Sequence, residues 1–199
     1  MIFLQSGGLF EATRFAGPCE VSRGTIANYL AALEATWVAH VVRPFSTRRS
    51  VEIISAPKIY AFDTGFVCYY RGWHELREDD LRVLWEHWVL NETYSHLQTP
   101  VVRYWRDKRG HEIDFILVPR GQKPIAIECK WKAKEFEPVS LKAFRNQYPE
   151  GPNWIVCHDV DNSYTQHFDK VKVEFMGLGE FPKRLNHLFP GSRSPSERG

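Results

Sequence analysis

Apolar positions recur along this chain with a helical period in some stretches and with strict alternation in others. From Ser22, SRGTIANYLAALEATWV sets Ile26, Tyr29, Leu30 and Leu33 at helical spacing, and Ser22 stands where an N-cap hydroxyl belongs. The run WVAHVVRPF, Trp37–Phe45, is rich in β-branched residues and predicts a strand. TRRS, Thr47–Ser50, reads as a polar, basic turn, and VEIIS (51–55) and APKIYAFD (56–63) continue as extended runs. Ahead of Ser22, LFEATRF (9–15) predicts a short helix that Ala16, Gly17 and Pro18 break. The order helix, turn, helix, strand, basic turn, strand is that of a winged helix-turn-helix.

The polar stretch RGWHELRED, Arg71–Asp79, reads as a linker. Beyond it, LRVLWEHWVLNETYSHLQ (81–98) has the helical period. Three alternating runs follow, VVRYW (101–105), HEIDFILV (111–118) and PIAIECKW (124–131), joined by the turn-forming RDKRG and PRGQK. LKAFRNQY (141–148) predicts another helix and NWIVCHDV (153–160) a buried strand. Helix, three strands, helix and strand make a mixed sheet flanked by helices. The fold class expected is therefore α/β. A winged-helix-like domain covers residues 1–70, a linker 71–79, a sheet domain 80–188, and a disordered Gly/Ser/Pro-rich tail 189–199.

Composition narrows the function without choosing it. With 43% hydrophobic and 25% charged residues, the 199-residue chain is ordinary globular material, long enough for one good core or two small ones. A net charge of +2 does not by itself show a nucleic-acid partner, and it leaves room for local basic patches. Cys19, Cys68, Cys129 and Cys157 form no C-x-x-C pair, which argues against a zinc knuckle and fits reduced thiols in a cytoplasm. No apolar run approaches the roughly 18 residues of a membrane span, so no membrane partner is expected. Neither H-E-x-x-H nor G-x-S-x-G occurs, which excludes the common zinc and serine hydrolase patterns.

The charged residues inside the alternating runs carry the candidate chemistry. In HEIDFILV, Ile113, Phe115 and Leu117 share one face, and Glu112 and Asp114 share the other with Ile116 and Val118. In PIAIECK, Glu128 and Lys130 lie on one face, roughly 7 Å apart by the strand rise. A short turn joins the two runs, so an antiparallel pair is expected, with Asp114 and Glu128 at the same edge of one face. Two carboxylates converging there make a hard-oxygen site suited to Mg²⁺ or Mn²⁺, and a nearby lysine would position a water. The helix adds Glu92, which follows Trp85, Trp88 and Val89 by seven, four and three positions and so falls on the apolar stripe. The bland readings are a solvated helix end for Glu92 and an exposed sheet face with a cross-strand salt bridge for Asp114, Glu128 and Lys130.

Glu92, Asp114 and the Glu128-x-Lys130 pair together resemble the PD-(D/E)XK nuclease superfamily: a helix glutamate, a hairpin aspartate, then E-x-K on the next strand. Ile113 stands where that pattern has proline. The resemblance implies a restriction-endonuclease-like sheet, with Asp114, Glu128 and Glu92 as metal ligands, the Cys129 carbonyl as a further ligand, and Lys130 assisting the attacking water. The order SRGTIANYLAALEATWV, APKIYAFDTGF, WEHWVLNE, WRDKRGHEIDFIL and IAIECKW is similar to the C-terminal region of prokaryotic AAA+-type ATPases, across about residues 10 to 160. In that family a winged helix and a nuclease-like domain of unknown function follow an ATPase module. No G-x-x-x-x-G-K-[ST] loop occurs here, so the chain is expected to be a fragment, a truncated product or a stand-alone remnant.

The expected function is metal-dependent phosphodiester hydrolysis. The alternative is a non-catalytic DNA- or protein-binding module of such an ATPase. The expected partners are nucleic acid and, beyond it, an ATPase module or a second copy. For nucleic acid, Arg23, Arg48 and Arg49 on the winged helix and Arg106, Lys108 and Arg109 in the second basic turn are the candidate phosphate contacts, with Arg14, Arg43 and Lys58 on the same expected face.

Overall fold

The computed structural model describes residues 2–46, 56–97 and 102–188. The basic turn with Arg48 and Arg49, the run 51–55, the ends at Gln98 and Val101 of two predicted elements, and the tail 189–199 lie outside the described residues. The described residues form nine strands and six helices, the mixed α/β class expected, in two compact units, 1–87 and 88–199. The division falls inside one long helix, Glu78–His96.

The first unit begins with a 3₁₀ turn, Phe3–Gln5, and continues through β1 (Gly8–Leu9), α1 (Ala12–Ala16), α2 (Arg23–Ala35), β2 (Ala39–Pro44), β3 (Lys58–Ala61), α3 (Thr64–Arg71) and the start of α4 (Glu78–His96). The strands pair antiparallel in the order β1-β3-β2, with Ile59 opposite both Gly8 and Val41. The Ser22 cap is present: its Oγ accepts the Thr25 N–H at 3.0 Å. Phe10, Phe15, Ile26, Ala39 and Ile59 form the core, with Leu30 and Leu33 packed on it. Tyr29, on the same helical stripe, is 58% exposed and lines an apolar cavity of about 450 Å³. α3 lies where the sequence predicts no element. Asp63 caps its start, accepting the Gly65 N–H, and Gly72 ends it at a left-handed φ of 68°.

A buried polar chain ties residues 2–9 to this unit. The Ser6 hydroxyl accepts the Ala61 N–H at 2.6 Å and meets His87 Nε2 at 2.6 Å. His87 Nδ1 lies 2.7 Å from the Val83 carbonyl, which only accepts, so Nδ1 holds the proton and Nε2 accepts from Ser6. Burial pushes the His87 pKa down to about 4; the Val83 hydrogen bond opposes this, and the charges of Arg71 and His40 add to it. Arg71 donates to the carbonyls of Leu4 and Ser6 at 3.2 and 2.8 Å. Lys58 is buried against Glu86 at 3.4 Å, and Tyr60 donates to the same carboxylate. Lys58 therefore does not belong to a phosphate-facing surface, contrary to the sequence expectation: its alternating position points it into the unit, where a carboxylate from α4 compensates it.

The second unit takes the rest of α4, then β4 (Val102–Arg106), β5 (Glu112–Leu117), β6 (Ile125–Lys130), α5 (Val139–Gln147), β7 (Asn153–Cys157), β8 (Tyr164–Phe168), β9 (Val171–Met176) and α6 (Phe181–Leu188). Its strand order is β4-β5-β6-β7-β9-β8. β4, β5 and β6 pair antiparallel, as the short turns require, while β6, β7 and β9 run parallel and β8 returns antiparallel beside β9. α5 is the crossover that makes β6 and β7 parallel. It is anchored by Arg145, which sends all five of its N–H groups to oxygens: Asn153 Oδ1 and the carbonyls of Tyr148, Glu150, Pro124 and Pro152.

Candidate functional site

The site sits where β5 and β6 stop pairing. Their ladder runs from Leu117↔Ile125 to Phe115↔Ile127, and carrying that register one step further sets Asp114 opposite Glu128. There the Cys129 N–H donates to the Asp114 carboxylate, Oδ2, at 2.8 Å. A side chain thus terminates the hairpin and turns the Asp114 carboxylate toward β6. Two positions along β6 from Glu128, on the same face, Lys130 Nζ stands 3.1 Å from Glu128 Oε2. Asp114, Glu128 and Lys130 thus lie together where the β5–β6 pairing ends.

Glu128 does not belong to a solvated salt-bridge face, although Asp114 and Lys130 are partly exposed. Glu128 is only 4% exposed. Burial pushes its pKa up to about 7; Lys130 opposes this and Asp114 adds to it. Burial alone would lower the Lys130 pKa, but the negative charges of Asp114 and Glu128 outweigh it and hold the ammonium well above its usual value. Glu128 Oε1 is buried and accepts no hydrogen bond. An orphaned carboxylate oxygen in the interior is costly unless something electropositive meets it.

Glu92 stands apart from this constellation in its contacts: on α4 it faces His96, 3.4 Å from Nδ1. Among the described residues no group of three or more His, Cys, Asp or Glu side chains could hold a metal ion. The donors that do converge are two carboxylates, with the Cys129 backbone between Glu128 and Lys130 in the chain. A cation held there would have two protein carboxylates and would need waters to complete its shell.

The basic candidates separate into paired and available groups. Arg14 and Arg43 are spoken for within the first unit, Arg14 by Glu11 at 3.0 Å and Arg43 by a two-pronged contact with Glu34 at 2.7 and 2.8 Å. Arg23 opens α2 and is exposed. Arg106 lies 3.6 Å from Glu112, and Lys108 and Arg109 are exposed in the following turn. Asp107 shapes that turn by accepting the N–H groups of Arg109 and His111 and the His111 ring, and the hydrogen bond from the His111 ring holds its carboxyl below its usual value.

One pair at this edge escapes sequence reasoning. Lys130 pairs with Cys157 in the parallel register, which sets Trp131 beside His158, and the two rings stack at 3.9 Å and 16°. Trp131 closes the run 124–131 and His158 lies within the run 153–160, but only the parallel pairing of β6 with β7 brings them together.

Residues 83–175 match the model of a family described as a domain of unknown function, DUF4143, and residues 1–77 match that of another such domain, DUF8612. An uncharacterized protein of Mycobacterium bovis and one of Mycobacterium tuberculosis are each 28% identical to this chain over 128 residues, 62% of this chain and 29% of the relative. The chain thus spans under a third of the length of these curated relatives.

Proposed function

We propose that the second unit is a nuclease-like domain that hydrolyses phosphodiesters with Mg²⁺ or Mn²⁺. On this reading its sheet is the restriction-endonuclease-like core, and the first unit is a winged helix that presents nucleic acid. The observation that carries the proposal is the buried Glu128 oxygen without a partner, on a carboxylate whose other oxygen meets Lys130 and whose strand position lies opposite Asp114. Asp114 and Glu128 would hold the ion, with the Cys129 carbonyl as a third oxygen and Glu92 reached through water. The bound ion would supply positive charge against the phosphate and a water of lowered pKa. Lys130 stays cationic because two carboxylates face it, so it serves to orient a water and to offset negative charge rather than to take a proton. Arg106, Lys108 and Arg109 would meet flanking phosphates. By the resemblance, the whole would act as the C-terminal part of an ATPase.

A second reading, a binding module without cleavage, is favoured by the close Lys130–Glu128 contact, which satisfies one carboxylate oxygen with protein alone. Calorimetric titration of Mn²⁺ into the full chain and into Asp114→Asn separates the two. The amide keeps an oxygen for the Cys129 N–H while removing the charge, so the fold is preserved. Binding in the wild type that is lost in the variant, with parallel loss of oligonucleotide cleavage, is the expected result. Equal titrations with no cleavage by either protein would leave the binding module.

A further inference from the structure

Three parallel strands, β6, β7 and β9, end along one edge of the second unit, at Lys130, Cys157 and Met176. Ligands of open α/β sheets bind outside the carboxyl ends of such strands. The first residues past two of these ends are Trp131 and His158, stacked at 3.9 Å with 16° between the rings. His158 is exposed and Trp131 half-buried, so the stack stands at the surface rather than filling a core.

Two contacts fix the turns that carry it. The Ala133 N–H donates to Asp159 Oδ1 at 2.8 Å, tying the loop after β6 to the loop after β7. Gly177, the first residue past β9, lies so close to the second loop that a Cβ there would stand 1.8 Å from the Val160 carbonyl oxygen. The turns that carry the rings, one residue past Lys130 and Cys157 in the chain, are therefore held in place before any ligand arrives, which lowers the entropy lost on binding.

We propose that the Trp131–His158 stack is a base-stacking platform that selects single-stranded nucleic acid for the adjacent Asp114–Glu128–Lys130 site. The proposal rests on the nuclease reading of that site and adds the substrate class. A nucleobase paired inside a duplex has both π-faces covered by its neighbours, whereas an unpaired base offers a face to the rings. Stacking is tolerant of sequence because every base has such a face, so no base preference is expected.

The test compares a fluorescent oligothymidylate with a blunt duplex of two annealed strands, measuring affinity by anisotropy and cleavage with Mn²⁺. The proteins are the wild-type chain of residues 1–199, His158→Ala, Trp131→Leu and Trp131→Phe. Expected is a wild-type preference for the single strand, lost by about tenfold in KM or Kd in Trp131→Leu and His158→Ala and largely kept in Trp131→Phe. Mn²⁺ titration and any duplex cleavage should be unchanged in all variants, which a merely structural role for the rings would not produce. The platform is overturned if the wild type takes duplex as readily as single strand, or if Trp131→Leu and His158→Ala bind and cleave the single strand like wild type. Ring-dependent single-strand binding without metal binding or cleavage would keep the platform and sink the nuclease reading. No nucleic-acid binding by the wild type sinks the platform, while metal binding is scored separately.

Discussion

At the scale of single residues, the unusual groups of the second unit divide into those whose hydrogen-bonding capacity is filled and those where it is not. Arg145 is the filled case. It is 7% exposed, and every one of its donors reaches an oxygen, so it welds α5 to the start of β7 and the loop before β6. Replacing it with Met would take a donor from four carbonyls and the Asn153 oxygen, of which the Pro152 carbonyl keeps the Ala126 N–H, and we expect a loss of about 3 kcal/mol or more in urea-monitored unfolding. Gly151→Ala should be of similar severity by the same measurement. Its φ is 126°, and a Cβ would lie 2.2 Å from the Pro124 carbonyl oxygen that Arg145 holds. Glu128 is the unfilled case, with Oε1 left alone beside a lysine and a second carboxylate. Its position, with those of Asp114 and Lys130, was legible in the sequence, because strand alternation and a short turn determine which side chains share a face. That Trp131 would meet His158 was not legible, since parallel register is set by a crossover helix and leaves no local pattern.

At the scale of elements, periodicity identified α2, α4 and the strands β2 to β7, because each carries an apolar face long enough to repeat. It did not identify α3, whose sequence TGFVCYYR favours β-structure by composition and leaves Phe66, Tyr69 and Tyr70 exposed. The signals that mark α3 are its ends, Asp63 and Gly72, and not its middle. Past Val160 the sequence reading assigned no element, although Val171, Val173 and Phe175 alternate with Lys172 and Glu174 in β9, and Asp169 turns the hairpin at a φ of 58°. α4 gives an element-scale prediction through His87. Its folded pKa, about 4, lies below the ordinary 6.5, so above pH 6.5 it is neutral in both states. As pH falls from 6.5 toward 4 the unfolded chain takes the proton and the folded chain does not. Stability is lost across that window, by about 3 kcal/mol at its lower end. Urea midpoints for wild type and His87→Gln, measured from pH 7 to pH 4, should converge as the wild type loses this contribution. Parallel curves would mean that His87 is protonated in the fold.

At the scale of the whole chain, two boundaries compete. The polar stretch 71–79 looks like a linker in sequence, and a family match stops at residue 77, yet the compact first unit runs to His87. The difference is ten residues of α4 that carry Glu86 and His87, the partners of Lys58, Tyr60 and Ser6. A polypeptide of residues 1–77 would leave a buried ammonium without its carboxylate and the Ser6 strap without its anchor, at several kcal/mol for the charge alone. By circular dichroism and thermal melting, residues 1–96 should give a cooperative transition and residues 1–77 should not; equal melts would show that the helix contributes nothing to the unit. The same strut bears on how such a module can change company. Exchange between genes at the apparent linker would separate a lysine from the glutamate that tolerates it. The heritable piece is therefore longer than the piece that sequence similarity outlines, and the first turns of α4 must travel with the unit ahead of them wherever it is joined.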